Sequence, residues 1–414
     1  MHVGLRLFRV AILCLAGTGV MMGCTPAQQG NNDANKPPSG GDGGGNATCT
    51  TGLGPWTGKD NVEASAQPPC GLAPDKVPMF VSIGWDDNSK ADGVNWASKI
   101  HLDRQAKTTF FLTSTYGSDA AVKKAWLDAY KAGNEIGNHT VSHLPSHGGR
   151  QFSASQWDTE IAGCTTFLTT MSPALPEKEI YGFRTPYLEY NKNTLTIVKQ
   201  KGFRFDCSVE EGYEDGQTGS DYFWPYTLDK GSPGHTVQVG WGKDTPNDPS
   251  DDLEELDPVP GLWEMPVYAL LVPPDDKCEE FGVPKGLRQL LRKRQEDILR
   301  DEAWFDPADG KITGFDYNLW APINMGGFAM TRAEFVATLK YSLSLRLEGN
   351  RAPFLFGAHP DYYVESWSTN APGAMSVADR RGAVEDFLDY AVSKGAVVTT
   401  YKDILDWVRN PKPR

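Results

Sequence analysis

Short apolar strands alternate with amphipathic helical stretches from about Val77 onward, and this alternation restricts the fold more than any other feature of the sequence. A repeated β-α pattern is typical of a parallel sheet or barrel with helices packed outside it. The pattern predicts strands at 79–85, 108–112, 135–138, 180–183, 203–207, 354–358 and 397–399. It predicts helices at 91–100, 120–131, 155–171, 194–201, 287–299, 331–347, 376–393 and 401–409. Between about 208 and 330 the pattern loosens, which indicates a loop-rich insertion.

Polar residues follow four of the predicted strands at the point where each strand ends. They are Asp86 and Asp87, His139 with His143 four residues later, Arg184 with Tyr187 three residues later, and His359. In parallel α/β folds the carboxyl ends of the strands meet at one edge, where chemistry gathers. We therefore expect these side chains to converge on one rim.

Two imidazoles and one carboxylate make a three-ligand site that leaves one coordination position open, as a catalytic zinc ion requires. Asp86 or Asp87 can supply the carboxylate, because successive side chains at a strand end point in different directions. The other aspartate can then accept a proton from water as a general base. His139 and His143 supply the imidazoles. Cobalt or nickel would suit the same ligands.

Each motif also has a purely structural interpretation. An Asp-Asp pair is more often a turn or a helix cap than a site, and two histidines four apart occur by chance. The first histidine is not followed by the glutamate that a zinc protease needs, which disfavours peptide hydrolysis. Arg184 alone would read as an ion-pair partner and His359 alone as a core histidine. Their occurrence together, each at a strand end, favours an active site.

The N-terminus predicts export. Arg6 and Arg9 precede an apolar run over 10–20, which is too short to span a membrane comfortably. The run ends before Cys24 in a Met-Met-Gly-Cys sequence that resembles a bacterial lipobox, with Cys24 as the lipidated residue. We expect a signal peptide over 1–23, a lipid-anchor cysteine with a flexible linker over 24–65, and a catalytic domain over 66–414. A freely secreted form is the alternative to anchoring in the cell envelope.

The net charge of -13 excludes a basic nucleic-acid footprint. No later apolar run is long enough to cross a bilayer, so contact with the membrane is expected only through the lipid, and a monomer is expected. Of the seven cysteines, Cys14 would leave with the signal and Cys24 would carry lipid, leaving five in an oxidising compartment. We predict a disulfide between Cys164 and Cys207, because neighbouring β-α units could bring them within bonding reach.

The motifs resemble those of the polysaccharide deacetylases of carbohydrate esterase family 4, the NodB homology family. The matching segments are Asp86-Asp87, His139-Thr140-Val141-Ser142-His143, Arg184-Thr185-Pro186-Tyr187 and His359, and the resemblance covers roughly 77–410. It implies a deformed (β/α) barrel and a polysaccharide or oligosaccharide substrate such as chitin. Segments at 224–228, 260–266 and 350–354 resemble animal-type chitin deacetylases in particular.

The resemblance also implies the role of each residue. Asp87, His139 and His143 would hold one divalent metal, most simply zinc, and Asp86 would be the general base paired with Arg184. The Tyr187 backbone N–H would stabilise the oxyanion, His359 would be the general acid, and Asp206 would orient His359. Expected substrate contacts are Trp85, Pro186, Tyr187 and Trp263.

Two positions depart from the family pattern. Trp85 precedes the aspartates where phenylalanine is usual, and Gly357 lies where many members place a leucine that packs on the acetyl methyl group. The floor of the groove is therefore expected to differ at Trp85, and the acetate pocket at Gly357. The resemblance leaves chitin, peptidoglycan and other acetylated glycans open as substrates. A glycan-binding protein on the same fold, with little turnover, is the alternative function.

Overall fold

The computed structural model describes residues 52–144, 148–244, 253–367 and 374–414. The strands in these ranges are β1 (Phe80–Trp85), β2 (Thr109–Leu112), β3 (Glu135–Asn138), β4 (Gly182–Phe183), β5 (Phe205–Asp206), β6 (Glu210–Glu211), β7 (Tyr226–Thr227), β8 (Trp263–Glu264), β9 (Val267–Tyr268), β10 (Leu270–Leu271), β11 (Lys311–Ile312), β12 (Phe354–Ala358) and β13 (Val397–Val398). The helices are α1 (Ala91–Leu102), α2 (Ala120–Lys131), α3 (Ala154–Thr170), α4 (Lys192–Gln200), α5 (Pro233–Asp244), α6 (Asp275–Cys278), α7 (Leu287–Leu299), α8 (Asp316–Trp320), α9 (Arg332–Glu348), α10 (Val377–Ser393) and α11 (Tyr401–Arg409).

One curled, mixed sheet forms the centre of the fold. Its strands follow the order β12-β1-β2-β3-β4-β5-β8-β7, and β13 also pairs with β1. All pairs along this path are parallel except that between β7 and β8, which is antiparallel. The described strand pairs do not join β7 to β12, so the barrel is open on that side. The predicted deformed (β/α) barrel is confirmed.

The helices begin where polar residues can accept the unpaired N–H groups of a first turn. Asp119 accepts from two backbone N–H groups at the start of α2. Capping boxes begin α3 at Ser153 and Gln156, and α9 at Thr331 and Glu334. These local signals explain why the predicted helix bounds lie within one or two residues of the observed ones for most helices. Among the described residues, no helix combines the length and apolar character needed to cross a membrane.

The strand register aligns the strand ends that carry the motifs. The last residue of β1, Trp85, pairs with Ala358, the last residue of β12. On the other side of β2, the last residue of β3, Asn138, pairs with both Leu112 and Phe183. Because these strands are parallel and end level with one another, the residues that follow them share one rim, as predicted.

The predicted linker over 24–65 extends too far. Residues 52–65 pack on the barrel, and Asp60 is buried there, accepting hydrogen bonds from Trp263 Nε1 at 2.8 Å and Arg409 Nε at 2.6 Å. Val62 N–H donates to the Thr227 hydroxyl at 2.8 Å. This part of the segment therefore belongs to the domain. The lipidation site predicted at Cys24 lies outside the described residues.

Candidate active site and metal centre

Three potential metal ligands meet at the rim. Asp87 follows β1, and His139 and His143 follow β3, and their ligand atoms all lie within 4.8 Å of one another. Asp87 Oδ1 is 3.5 Å from His139 Nε2 and 2.9 Å from His143 Nε2. The predicted ligand set is therefore brought together by the fold.

The protonation of this cluster suits a cation. His139 Nδ1 is 2.8 Å from the Arg184 carbonyl oxygen, which can only accept, so Nδ1 carries the proton and Nε2 keeps a lone pair for a metal. Asp87 Oδ1 is buried and receives no hydrogen bond of regular geometry, although two ring nitrogens face it. Burial alone would raise the pKa of Asp87, but His143 and His139 hold it well below its usual value. An ionised carboxylate beside two imidazole nitrogens fits a divalent cation.

The turn that carries Asp87 is strained and held from three sides. Asp87 and Asn88 have φ values of 66° and 67°, in the left-handed region. The Asn88 side-chain amide donates to the Trp85 and Phe111 carbonyl oxygens, each at 2.8 Å. The Asp361 carboxylate accepts hydrogen bonds from the backbone N–H groups of Ser89 at 3.0 Å and Lys90 at 2.9 Å. Strain of this kind persists where the surroundings enforce it, and it is common at functional sites.

Asp86, next to the ligand Asp87, forms a buried ion pair with Arg184. Arg184 NH1 donates to Asp86 Oδ1 at 2.8 Å, and the two side chains are 1% and 4% exposed. The Arg184 side chain also donates to the Cys207 carbonyl oxygen at 3.0 Å and to the Tyr401 hydroxyl at 2.8 Å, and it lies over the Phe111 ring. The guanidinium therefore has one position, and it fixes the orientation of Asp86.

His359 is held by Asp316, not by Asp206. His359 Nδ1 is 2.9 Å from Asp316 Oδ1, and its backbone N–H donates to Asp316 Oδ2 at 3.1 Å. Burial alone would lower the pKa of His359, but Asp316 and the two aspartates at 86 and 87 raise it to about 9. Asp206 instead accepts hydrogen bonds from Ser208 and shares one with Glu264. The predicted role of Asp206 is wrong, because its carboxylate is committed to these neighbours.

Tyr187 lies at the mouth of the site. Its φ of 57° is again left-handed, and its side chain is 37% exposed. The ring packs edge-on against His143, with centroids 4.9 Å apart. The ring therefore lies beside the ligand cluster, and its contact with a substrate stays a prediction. The role of its backbone N–H in binding an oxyanion stays a prediction.

Two of the other predicted substrate contacts, Trp85 and Trp263, are wrong, since both are fully buried, whereas the contact predicted for Pro186 stays a prediction. Trp85 is 0% exposed and packs against Trp96 of α1 at 5.7 Å, because a strand residue next to Asp86 points to the opposite face. Trp263 is also 0% exposed and donates to Asp60. Pro186 is buried. The sequence interpretation missed Tyr362, which stacks on His359 with centroids 4.5 Å apart.

The predicted disulfide is absent, because Cys164 and Cys207 are both free and buried. Cys164 Sγ donates to the Leu112 carbonyl oxygen on β2 at 3.4 Å, and Cys207 Sγ to that of Phe183 on β4 at 3.2 Å. Strand β3 lies between β2 and β4, so the two thiols are separated by about two strand spacings of ~4.8 Å. Cys70 is disulfide-bonded, and Cys278 is free.

The curled (β/α) barrel thus gathers a ligand cluster, a paired carboxylate and a paired histidine on one rim. Residues 75–205 match the family model described as polysaccharide deacetylase. None of the curated proteins matches this chain.

Three solved structures are distantly similar to this chain. A protein from Mycobacterium smegmatis, named as a polysaccharide deacetylase, is 14% identical with a TM-score of 0.49, over 84% of this chain and 95% of that one. A family 4 carbohydrate esterase from Streptomyces lividans, in complex with acetate, is 19% identical with a TM-score of 0.27, over 32% and 64%. A CE4 family pseudoenzyme from Bacillus anthracis is 10% identical with a TM-score of 0.37, over 81% and 70%.

The segments that resemble animal-type chitin deacetylases do not specify a substrate. Trp224, Tyr226 and Trp263 are at most 3% exposed. The Asn350 side-chain amide donates to two backbone carbonyl oxygens at 2.7 Å, those of Ala66 and Tyr222. These residues build the core and its connections, so they carry no information about the glycan.

Proposed function

We propose that this protein is a metal-dependent hydrolase that removes acetyl groups from N-acetylglucosamine units of chitin, chitooligosaccharides or a related envelope glycan. The observation that carries the proposal is the convergence of three groups on one rim. They are the Asp87 ligand cluster, Asp86 held by Arg184, and His359 held by Asp316. The polysaccharide deacetylase domain over 75–205 supports the reaction class.

Asp87, His139 and His143 would hold one divalent cation, with zinc favoured and cobalt or nickel accepted by the same ligands. Such a cation supplies Lewis acidity, which polarises the acetyl carbonyl and makes water a stronger acid. The His139 Nδ1–H bond to the Arg184 carbonyl orients the ring so that Nε2 faces the other two ligands. The same residue, Arg184, therefore supports both the ligand and the base.

The proton transfers are assigned to Asp86 and His359. Asp86 accepts a proton from the attacking water, whose oxygen bonds to the acetyl carbon. The ion pair with Arg184 holds this carboxylate in position until that moment. His359 then donates its proton to the amide nitrogen as the carbon–nitrogen bond breaks, releasing acetate and a free amine. The raised pKa of His359, about 9, keeps that proton in place at neutral pH.

The decisive experiment measures acetate released from chitooligosaccharides and from peptidoglycan, before and after chelation and after metal is restored. We expect release that disappears with the chelator and returns with zinc. The matched control is D86N, which keeps the ligand set. Saturable glycan binding by the wild type with no acetate release would favour the glycan-binding alternative instead.

We also propose that the protein is exported and held at the cell envelope by lipid on Cys24, which the lipobox-like sequence supports. Metabolic labelling with a radioactive fatty acid should label the wild type and not C24A. An unlabelled wild type recovered from the medium would indicate free secretion.

A further inference from the structure

The ring of Phe315 packs closely against Gly357 on strand β12. The two residues form a parallel bridge, and Gly357 N–H donates to the Gly314 carbonyl oxygen at 2.9 Å. A Cβ atom at position 357 would lie 2.3 Å from a carbon of the Phe315 ring, closer than real Cβ contacts come. Glycine at this position therefore makes room for a ring that the insertion supplies.

This ring lies close to His359 and to Arg184, the partner of Asp86. The Phe315 centroid is 5.4 Å from Cζ of Arg184, which holds Asp86, and 5.7 Å from the His359 ring. The acyl carbon that water attacks must lie between the base and the acid. The unreacting end of the acyl group then needs an apolar surface beside both groups, and Phe315 offers one.

The ring also has little freedom to move aside. The side chain is 5% exposed and packs against Gly357. The backbone is also restrained, because Phe315 N–H donates to the Thr313 carbonyl oxygen at 2.7 Å. The next residue, Asp316, is bound to His359. Close-packed side chains of this kind resist displacement by a larger ligand.

We propose that Phe315 limits the length of the acyl group, admitting acetyl and excluding propionyl and longer chains. This inference rests on the proposed deacetylase function. It names a specificity-determining residue that comes from the insertion, outside the segment that matches the family model. A pocket discriminates against one methylene group by about 10- to 200-fold in kcat/KM.

The test compares glucosamine oligosaccharides that carry N-acetyl, N-propionyl or N-butyryl groups, with released carboxylate as the readout. We expect the wild type to prefer N-acetyl over N-propionyl by about 10- to 200-fold. F315A should lower this ratio at least tenfold, and F315L should lower it less. The matched control is F305L, since Phe305 is also buried (1% exposed, against 5% for Phe315) but packs on Phe328. Its ratio should stay at the wild-type value.

Two outcomes separate the inference from the proposed function. An N-acetyl to N-propionyl ratio that is the same in wild type, F315L and F315A would overturn the inference while leaving deacetylation intact. Absence of release from every substrate by the metal-loaded wild type would overturn both. F315L, with a smaller loss of volume, keeps the comparison available if F315A does not fold.

Discussion

His359 Nδ1 lies 2.9 Å from Asp316 Oδ1, although the two residues are 43 positions apart in the chain. The Tyr317 N–H donates to the same oxygen at 2.7 Å, and the His359 N–H donates to the other carboxylate oxygen. Asp316 therefore fixes both the backbone and the ring of His359. Because Nδ1 is committed to the carboxylate, Nε2 is the atom left to carry the proton that the reaction transfers.

The loss of turnover at alkaline pH should depend on the His359–Asp316 pair. The pKa of His359 is raised to about 9, so its proton, and with it turnover, should be lost as pH rises through about 9. D316N removes the main raising influence, so we expect the limb to move to lower pH and kcat to fall. D206N, which leaves His359 untouched, should keep the wild-type limb. Identical profiles for D316N and the wild type would contradict the assignment.

The raised pKa of His359 should also make the stability of the fold depend on pH. A histidine whose folded pKa is raised stabilises the fold fully below its unfolded value of about 6.5, and this contribution is lost as pH rises through about 9. We therefore expect the Tm of the metal-free protein to fall more steeply between pH 7 and pH 9 for the wild type than for H359Q. Equal slopes would show that the charged pair adds no stability.

Metal analysis of purified variants should distinguish the two aspartates. D87A and H143A each remove one of three ligands, so we expect both to lose the bound divalent ion. D86N should keep the ion, because Asp86 pairs with Arg184 outside the cluster, yet lose about 10²- to 10⁴-fold in kcat. Loss of the ion from D86N, with retention by D87A, would reverse the two assignments.

Removing the Arg184 guanidinium should destabilise the whole fold. R184M leaves the buried Asp86 carboxylate without its partner, and breaking a buried pair costs about 3–5 kcal/mol of the free energy of unfolding. R332M is the matched control, since the Arg332–Asp386 pair is 44% and 43% exposed and should contribute less than about 1 kcal/mol. Denaturant titration measures both. A similar loss in the two variants would mean that Arg184 is less critical than its burial indicates.

Alkylation without reductant should reveal which cysteines are free. Cys164, Cys207 and Cys278 are buried thiols, so the native protein should resist the reagent and the unfolded protein should react at all three. Burial raises the pKa of Cys164 to about 12, which keeps it protonated and slow to react while folded. Cys70 should be modified only after reduction. Peptide mapping that joins Cys164 to Cys207 would restore the original prediction.

The sequence predicted the groups that sit directly after buried strands. Asp87, His139, Arg184 and His359 each end a short apolar run, and parallel strands in register bring such positions together. The partner of His359 was not predictable, because Asp316 comes from an insertion without periodicity, and only tertiary packing selects it among many acidic residues.

The wrong substrate contacts have a related cause. Trp85 is adjacent to Asp86 in sequence, but alternate strand residues face opposite sides, so one is in the helix-covered core and the other in the site. The position of Trp85 beside Asp86 in the sequence correctly placed it near the rim, but it did not show that the Trp85 side chain points into the core. The sequence also contained no sign that Phe315 lies near the site. Its ring occupies the space where a side chain at position 357 would lie, and a glycine in the sequence does not say which distant residue fills that space.

The pairing of β1 with both β12 and β13 makes residues 75–205 inseparable from the rest of the chain. A fragment limited to that segment would leave one long edge of β1 exposed, and exposed edges promote aggregation. It would also lack the Tyr401 hydroxyl that accepts a hydrogen bond from Arg184, and His359, the proposed general acid. The smallest unit that keeps the candidate site therefore extends to the last helix, and the segment that matches the family model is only part of it.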